Sequence, residues 1–152
     1  MTTNEAIHKV CSLAYGEVGN REGPNNWNKY ADNKLVCDAI GFDVQCQYWC
    51  AVFVVWLFIE SFGFYSGSHM MYGCSAACRN QADFYKENGA FFPNPQKGDQ
   101  IFFYADIDIA EYTKYGNAVI RLPKTDTWIK VQTVVTVTDG TFVGGAGTLR
   151  QG

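Results

Sequence analysis

Apolar residues recur at helical spacing in the first stretch of the chain, where Ala6, Ile7, Val10, Cys11, Leu13 and Ala14 share one face and His8 lies on the polar side. Thr2, Thr3 and Asn4 offer capping oxygens ahead of Glu5, so the pattern predicts an amphipathic helix ending near Gly16 or Gly19. The periodicity then stops. Gly23-Pro24 followed by Asn25, Asn26 and Asn28 predicts an ordered loop, pinned by Trp27 and Tyr30. From Ala31 to Gln47 the pattern is weak and is broken at Asp38 and at Gly41-Phe42-Asp43, which predicts a loop with one helical turn.

At Cys50 the pattern changes character. Cys50-Ala51-Val52-Phe53-Val54-Val55-Trp56 continues to about Glu60 with hardly a polar position, which predicts a helix covered on all sides and central to the core. Ser61 to Tyr72 is rich in glycine, serine and aromatics and reads as a loop, with His69 exposed in it beside Met70-Met71. A further amphipathic helix is expected from about Ser75, as N-cap, to Asn88, with Gly89 following it and Ala77, Cys78, Gln81, Ala82 and Tyr85 on one face. Phe91-Phe92-Pro93-Asn94-Pro95 predicts an extended turn. Beyond it the period falls to that of strands: Gln100 to Ala105, Ala118 to Leu122, Thr127 to Thr138 and Thr141 to Val143, with Asp139-Gly140 as a hairpin turn. Helices first and strands after predict a single α+β domain over 1–152, the N-terminal helices packed on a C-terminal antiparallel sheet.

Composition narrows the function. The 152 residues are 47% hydrophobic and 18% charged, which excludes a disordered chain or a coiled coil. A formal net charge of -3 and the lack of any basic run argue against a nucleic-acid partner. The apolar run from Ala51 to Ile59 is about half of the roughly 20 residues that a membrane span requires. The first residues carry neither a basic start nor an apolar core, so no signal peptide is expected. Asp32, Asp38 and Asp43 lack the spacing of a calcium loop and are read as a solvated loop.

Six cysteines stand at 11, 37, 46, 50, 74 and 78, and in a chain without an export signal they are read as mostly reduced thiols. Cys46/Cys50 and Cys74/Cys78 have a three-residue gap, but no C-x-x-C occurs and neither histidine is at a zinc-ligand spacing from them, so neither a metal nor another cofactor is expected. The candidate for chemistry is Cys50. A cysteine that opens a helix lies among outward-pointing backbone N–H groups, which favour the thiolate that a nucleophile needs. The competing assignment is a small buried hydrophobe at the start of a core helix. Gln45 and Gln47 are candidate side-chain donors to an oxyanion beside Cys50.

Trp49-Cys50-Ala51-Val52-Phe53-Val54-Val55-Trp56 with Lys97-Gly98-Asp99-Gln100-Ile101-Phe102-Phe103 resembles the CHAP domains of the NlpC/P60-like cysteine peptidases. Ala14 to Gly19 and Asn26 to Tyr30 look like the region that precedes the nucleophile in phage and bacterial members, and Cys78 to Tyr85 resembles their middle helix. The resemblance covers about residues 5–104 and leaves about 105–152 divergent or truncated. It implies a papain-like fold, Cys50 as the nucleophile, a histidine on the sheet, and hydrolysis of an amide bond in peptidoglycan by an endolysin-like amidase or endopeptidase. The partner would be peptidoglycan or its peptides, met by a monomer that leaves the cytoplasm through phage lysis or another export route.

The sequence departs from that pattern where the base should stand. No histidine follows His69, and Gly116-Asn117-Ala118-Val119-Ile120 carries glycine at the expected imidazole position. Three explanations are open: a catalytically inactive cell-wall glycopeptide-binding module using Trp27, Tyr30, Tyr48 and Trp49, a C-terminal part that has diverged or been altered, or a site rebuilt around His69.

Overall fold

A computed structural model describes residues 1–17, 19–92, 98–103 and 144–147. This part is predominantly helical. Helix α1 spans Thr3–Gly16, α2 Lys34–Ile40, α3 Cys50–Phe62, α4 Phe64–Met70 and α5 Cys78–Glu87. Three short strands, β1 Phe91–Phe92, β2 Gln100–Phe103 and β3 Gly144–Gly147, pair antiparallel in the order β1-β3-β2. Phe91 lies opposite Gly147 and Phe103 opposite Gly144. The strands expected at Ala118–Leu122, Thr127–Thr138 and Thr141–Val143 lie outside the described residues, as does the hairpin turn at Asp139-Gly140.

Helix α1 starts where its cap residues predict. The Thr2 hydroxyl accepts from the Glu5 N–H at 3.1 Å, and the Glu5 carboxylate accepts from the Thr2 N–H at 3.0 Å. Its buried face is Ala6, Val10, Cys11 and Ala14. Helix α2 replaces the single helical turn expected after Ala31. Asn33 nucleates it, its side-chain oxygen accepting from Leu35 N–H at 3.0 Å and Val36 N–H at 3.4 Å, and Val36 is the residue it buries.

Helix α3 is the centre of the molecule. Every residue from Ala51 to Ile59 is buried, as the unbroken apolar pattern requires. Burying a side chain such as Val or Leu in full is worth about 1.5–3 kcal/mol, so this helix contributes stability chiefly through packing and little through helix propensity. Helices α1, α2 and α4 close around it with Tyr30, Val44 and Met71. A second cluster, Ala51, Cys78, Ala82, Tyr85, Ala90 and Phe102, joins its first turn to α5 and β2.

Two expectations are corrected here. The stretch from Ser61 to Tyr72 contains helix α4 in place of a loop. Its Gly67 lies against the α3 backbone so closely that an added Cβ would stand 2.4 Å from the Phe58 carbonyl oxygen. The glycine that reads as a breaker is the contact that lets two helices meet, and Gly63, at φ +86°, makes the turn between them. Helix α5 starts at Cys78, three residues after Ser75, with Ala77 as its N-cap. The Ser75 hydroxyl instead accepts from the Ala77 N–H at 3.1 Å. Gly89 sits at φ +66°, the left-handed position expected just past a helix end.

Candidate functional site

Cys50 is the first residue of α3. Trp49, its N-cap, offers no side-chain hydrogen bond to the helix, and the first intrahelical N–H is that of Phe53, which donates to the Trp49 carbonyl at 2.8 Å. The N–H groups of residues 50–52 therefore point out of the helix end, the positive pole of its dipole. The Cys50 side chain is half-buried and packs against the second cluster with Tyr72 and Phe91, on the side of α5 and β2.

Aromatic packing holds this helix start in place. Tyr30 is 2% exposed and its ring lies 5.3 Å from that of Trp49, 4.7 Å from Phe53 and 5.0 Å from Trp56. The Trp49 indole N–H donates to the Glu22 carboxylate at 2.8 Å. Burial pushes the Tyr30 phenol well above its usual range, and the neighbouring Glu17 carboxylate pushes it further. Glu17 stands at the C-terminus of α1, where a negative charge opposes the helix dipole, and the Lys29 ammonium pairs with it. Lys29 also lies over the Tyr30 ring at 5.7 Å and the Trp56 ring at 5.3 Å. Of the four aromatics expected to form a binding groove, Tyr30 is interior and Trp49 is half-buried, while Trp27 is 43% and Tyr48 65% exposed.

Gln45 has another task than donating to an oxyanion. Its Nε2 donates to the Asn28 carbonyl at 2.8 Å and its Oε1 accepts from the Asn28 N–H at 2.9 Å, which ties the 20–30 loop to the approach of Cys50. Neither histidine is brought to the thiol. His8 is exposed on α1 with Nε2 3.5 Å from the Ser12 hydroxyl. His69 is exposed on α4, with Nδ1 2.8 Å from the Tyr65 carbonyl, on a helix that crosses the C-terminal half of α3 at Phe58. From Cys50 to Phe58 an α-helix rises about 12 Å.

All six cysteines are thiols. Burial pushes the Cys74 thiol up to about 11, so it stays protonated and unreactive at neutral pH. Among the described residues no group of three metal-ligating side chains occurs. Asp32, Asp38 and Asp43 line one open cleft beside α2, but the Lys34 ammonium sits 2.8 Å from Asp38 and the Asp43 carboxylate accepts from the Gln45 N–H at 3.0 Å.

A buried pair of amides behind Cys50 was not singled out by its sequence. Gln81 of α5 is fully buried, and its Nε2 donates to the Ser75 carbonyl at 2.7 Å and to the Ala51 carbonyl at 3.2 Å. Its Oε1 accepts from Nε2 of Gln100 on β2. The available signal was a glutamine on the apolar stripe of α5, between Cys78 and Ala82. Comparison of the chain with protein-family models, with curated proteins and with solved structures finds no match. Among the described residues no helix is long and apolar enough to cross a membrane.

Proposed function

We propose that the chain is a CHAP-like domain of papain type, α+β in architecture, that attacks an amide bond of the peptidoglycan stem peptide or cross-bridge with Cys50 as nucleophile. The observation that carries this reading is the position of Cys50 as first residue of α3, at a helix start with no side-chain cap and on the face toward β2. An ordinary cysteine, with a pKa of about 8.5, is mostly neutral at pH 7, and a helix N-terminus lowers that value. The same N–H groups would receive the oxyanion of the tetrahedral intermediate. With both imidazoles exposed on α1 and α4, the acid–base share of catalysis is missing, so turnover is slower by about 10²- to 10⁴-fold than that of a cysteine–histidine pair. The domain meets its substrate after release to the cell wall, as in phage lysis, and works as a monomer.

Iodoacetamide labelling followed by peptide mass spectrometry tests the thiol. Cys50 is expected to label faster at neutral pH than Cys46, although Cys46 is the more exposed of the two. Equal rates, or a faster Cys46, sink the activated-thiol reading. Purified peptidoglycan should release soluble fragments slowly, and Cys50→Ala should end that release.

The exposed positions of His8 on α1 and His69 on α4 favour a second reading, a catalytically inactive module that holds a cell-wall glycopeptide. Trp27 and Tyr48 are then its contact rings, being the exposed members of the aromatic set. It predicts that intact walls retain the protein equally well after Cys50→Ala and that neither form releases fragments.

A further inference from the structure

The peptide unit between Ala51 and Val52 has its carbonyl on one side and, on the other, an N–H that leaves the open end of α3. The Ala51 oxygen receives a hydrogen bond from Gln81 at 3.2 Å, in addition to the bond that an α-helix brings it from four residues on. Gln81 in turn accepts from Gln100. Because Gln81 Nε2 faces two carbonyl oxygens, Ala51 and Ser75, its amide has one workable orientation, and its Oε1 then fixes the orientation of Gln100. The three amides run head to tail. Gln100 N–H points to Gln81 oxygen, Gln81 N–H to Ala51 oxygen, and the Val52 N–H of that same peptide unit is one of the three that leave the helix end where Cys50 stands.

Hydrogen-bonded amides in series polarise one another, each bond strengthening the next by about 10–30%. The line runs through a protected interior, since Gln81 is 0% and Gln100 4% exposed, so water does not screen it. At its far end the Gln100 Oε1 is buried and has no hydrogen-bond partner among the described residues. A buried acceptor without a donor costs about 1–3 kcal/mol, which offsets much of what the Gln100 bond to the buried Gln81 oxygen contributes.

We infer that Gln81 and Gln100 are positioning residues for Cys50: they fix the first turn of α3 from behind and increase the pull of its N–H groups on a thiolate or oxyanion. The inference deepens the reading of Cys50 as nucleophile and rests on it. It assigns a role to two side chains that act through the Ala51 carbonyl.

The pH profile of Cys50 alkylation in the whole chain tests this without any cell-wall substrate. Gln81→Met and Gln100→Met keep side-chain bulk and remove the amides. Gln81→Met is expected to raise the midpoint of the profile by about 0.1–0.2 pH unit, about a 1.3- to 1.6-fold loss of rate below the midpoint, since helix-end electrostatics supply only a fraction of a unit to begin with. Gln100→Met, acting through Gln81, should move it the same way by less while leaving the melting temperature near the wild-type value, because it also removes the buried acceptor without a partner. If Gln81→Met does not fold, Gln100→Met decides alone. A Gln100→Met profile that superimposes on wild type, whatever happens to stability, overturns the inference. Should the midpoint move while wild-type protein releases no peptidoglycan fragments, the positioning role stands and the hydrolase reading falls.

Discussion

The starts of α1 and α3 solve one problem in opposite ways. At α1 the Thr2 hydroxyl and the Glu5 carboxylate close the helix end on itself. At α3 the N-cap is Trp49, which closes nothing, and the segment is held from the side by rings and from behind by the Gln81 amide. A self-capped end is stabilised locally, two of its N–H groups being held by its own side chains. An end braced by its surroundings forms without a side-chain cap, at the expense of depending on distant residues. The two ends contrast local capping with support from distant residues.

Removing the brace should have the largest effect. Tyr30→Ala deletes the ring shared by Trp49, Phe53 and Trp56 and is expected to cost about 3–5 kcal/mol in urea unfolding, as for other large aromatic truncations. A loss below about 1 kcal/mol would mean that the start of α3 does not rely on that cluster. Thr2→Ala removes a local cap and should cost about 1 kcal/mol or less, with Cys50 alkylation unchanged. If Thr2→Ala slowed alkylation, the two helix ends would not be independent.

The smallest effect is one of pH and concerns Cys74, a half-buried thiol like Cys50. The folded Cys74 value of about 11 lies above that of a solvated thiol because burial disfavours the thiolate. Its contribution to stability is therefore complete below about pH 9 and is lost as the pH rises through about 11. Tyr30 and Tyr85 are shifted upward as well, mainly by burial, and extend the loss to still higher pH. Melting temperature is expected to fall as the pH is raised from 9 toward 11, and Cys74 should label well after Cys50 at every pH below that window. Early labelling of Cys74 would place it outside the core.

What the sequence discloses depends on how local its cause is. Helix α1 is legible because its cap and its apolar stripe lie within one segment. Helix α3 is legible because nine successive buried positions leave no other assignment. Helix α4 is obscured because Gly67 is chosen by Phe58, a residue in another helix, and nothing adjacent to Gly67 records that contact. Helix α2 is only two turns long and buries one residue, so its periodicity is faint, although Asn33 as a cap could have revealed it. At the site, Cys50 is marked by the boundary between Tyr48-Trp49 and the apolar run. The tasks of Gln45 and Gln81 are set by partners far along the chain, Asn28 for one and Ala51 and Gln100 for the other.

The ring cluster also gives the protein an internal optical gauge. Trp49 has its indole N–H on Glu22 and Tyr30 beside it, and Trp56 lies under the Lys29 ammonium with Phe53 stacked at 6.2 Å. Emission from an indole depends on the charges and solvent around it, so two of the four tryptophans report on the helix end that carries Cys50. A compound that settles there is therefore visible as a change in colour and intensity of the protein's own fluorescence, without a label.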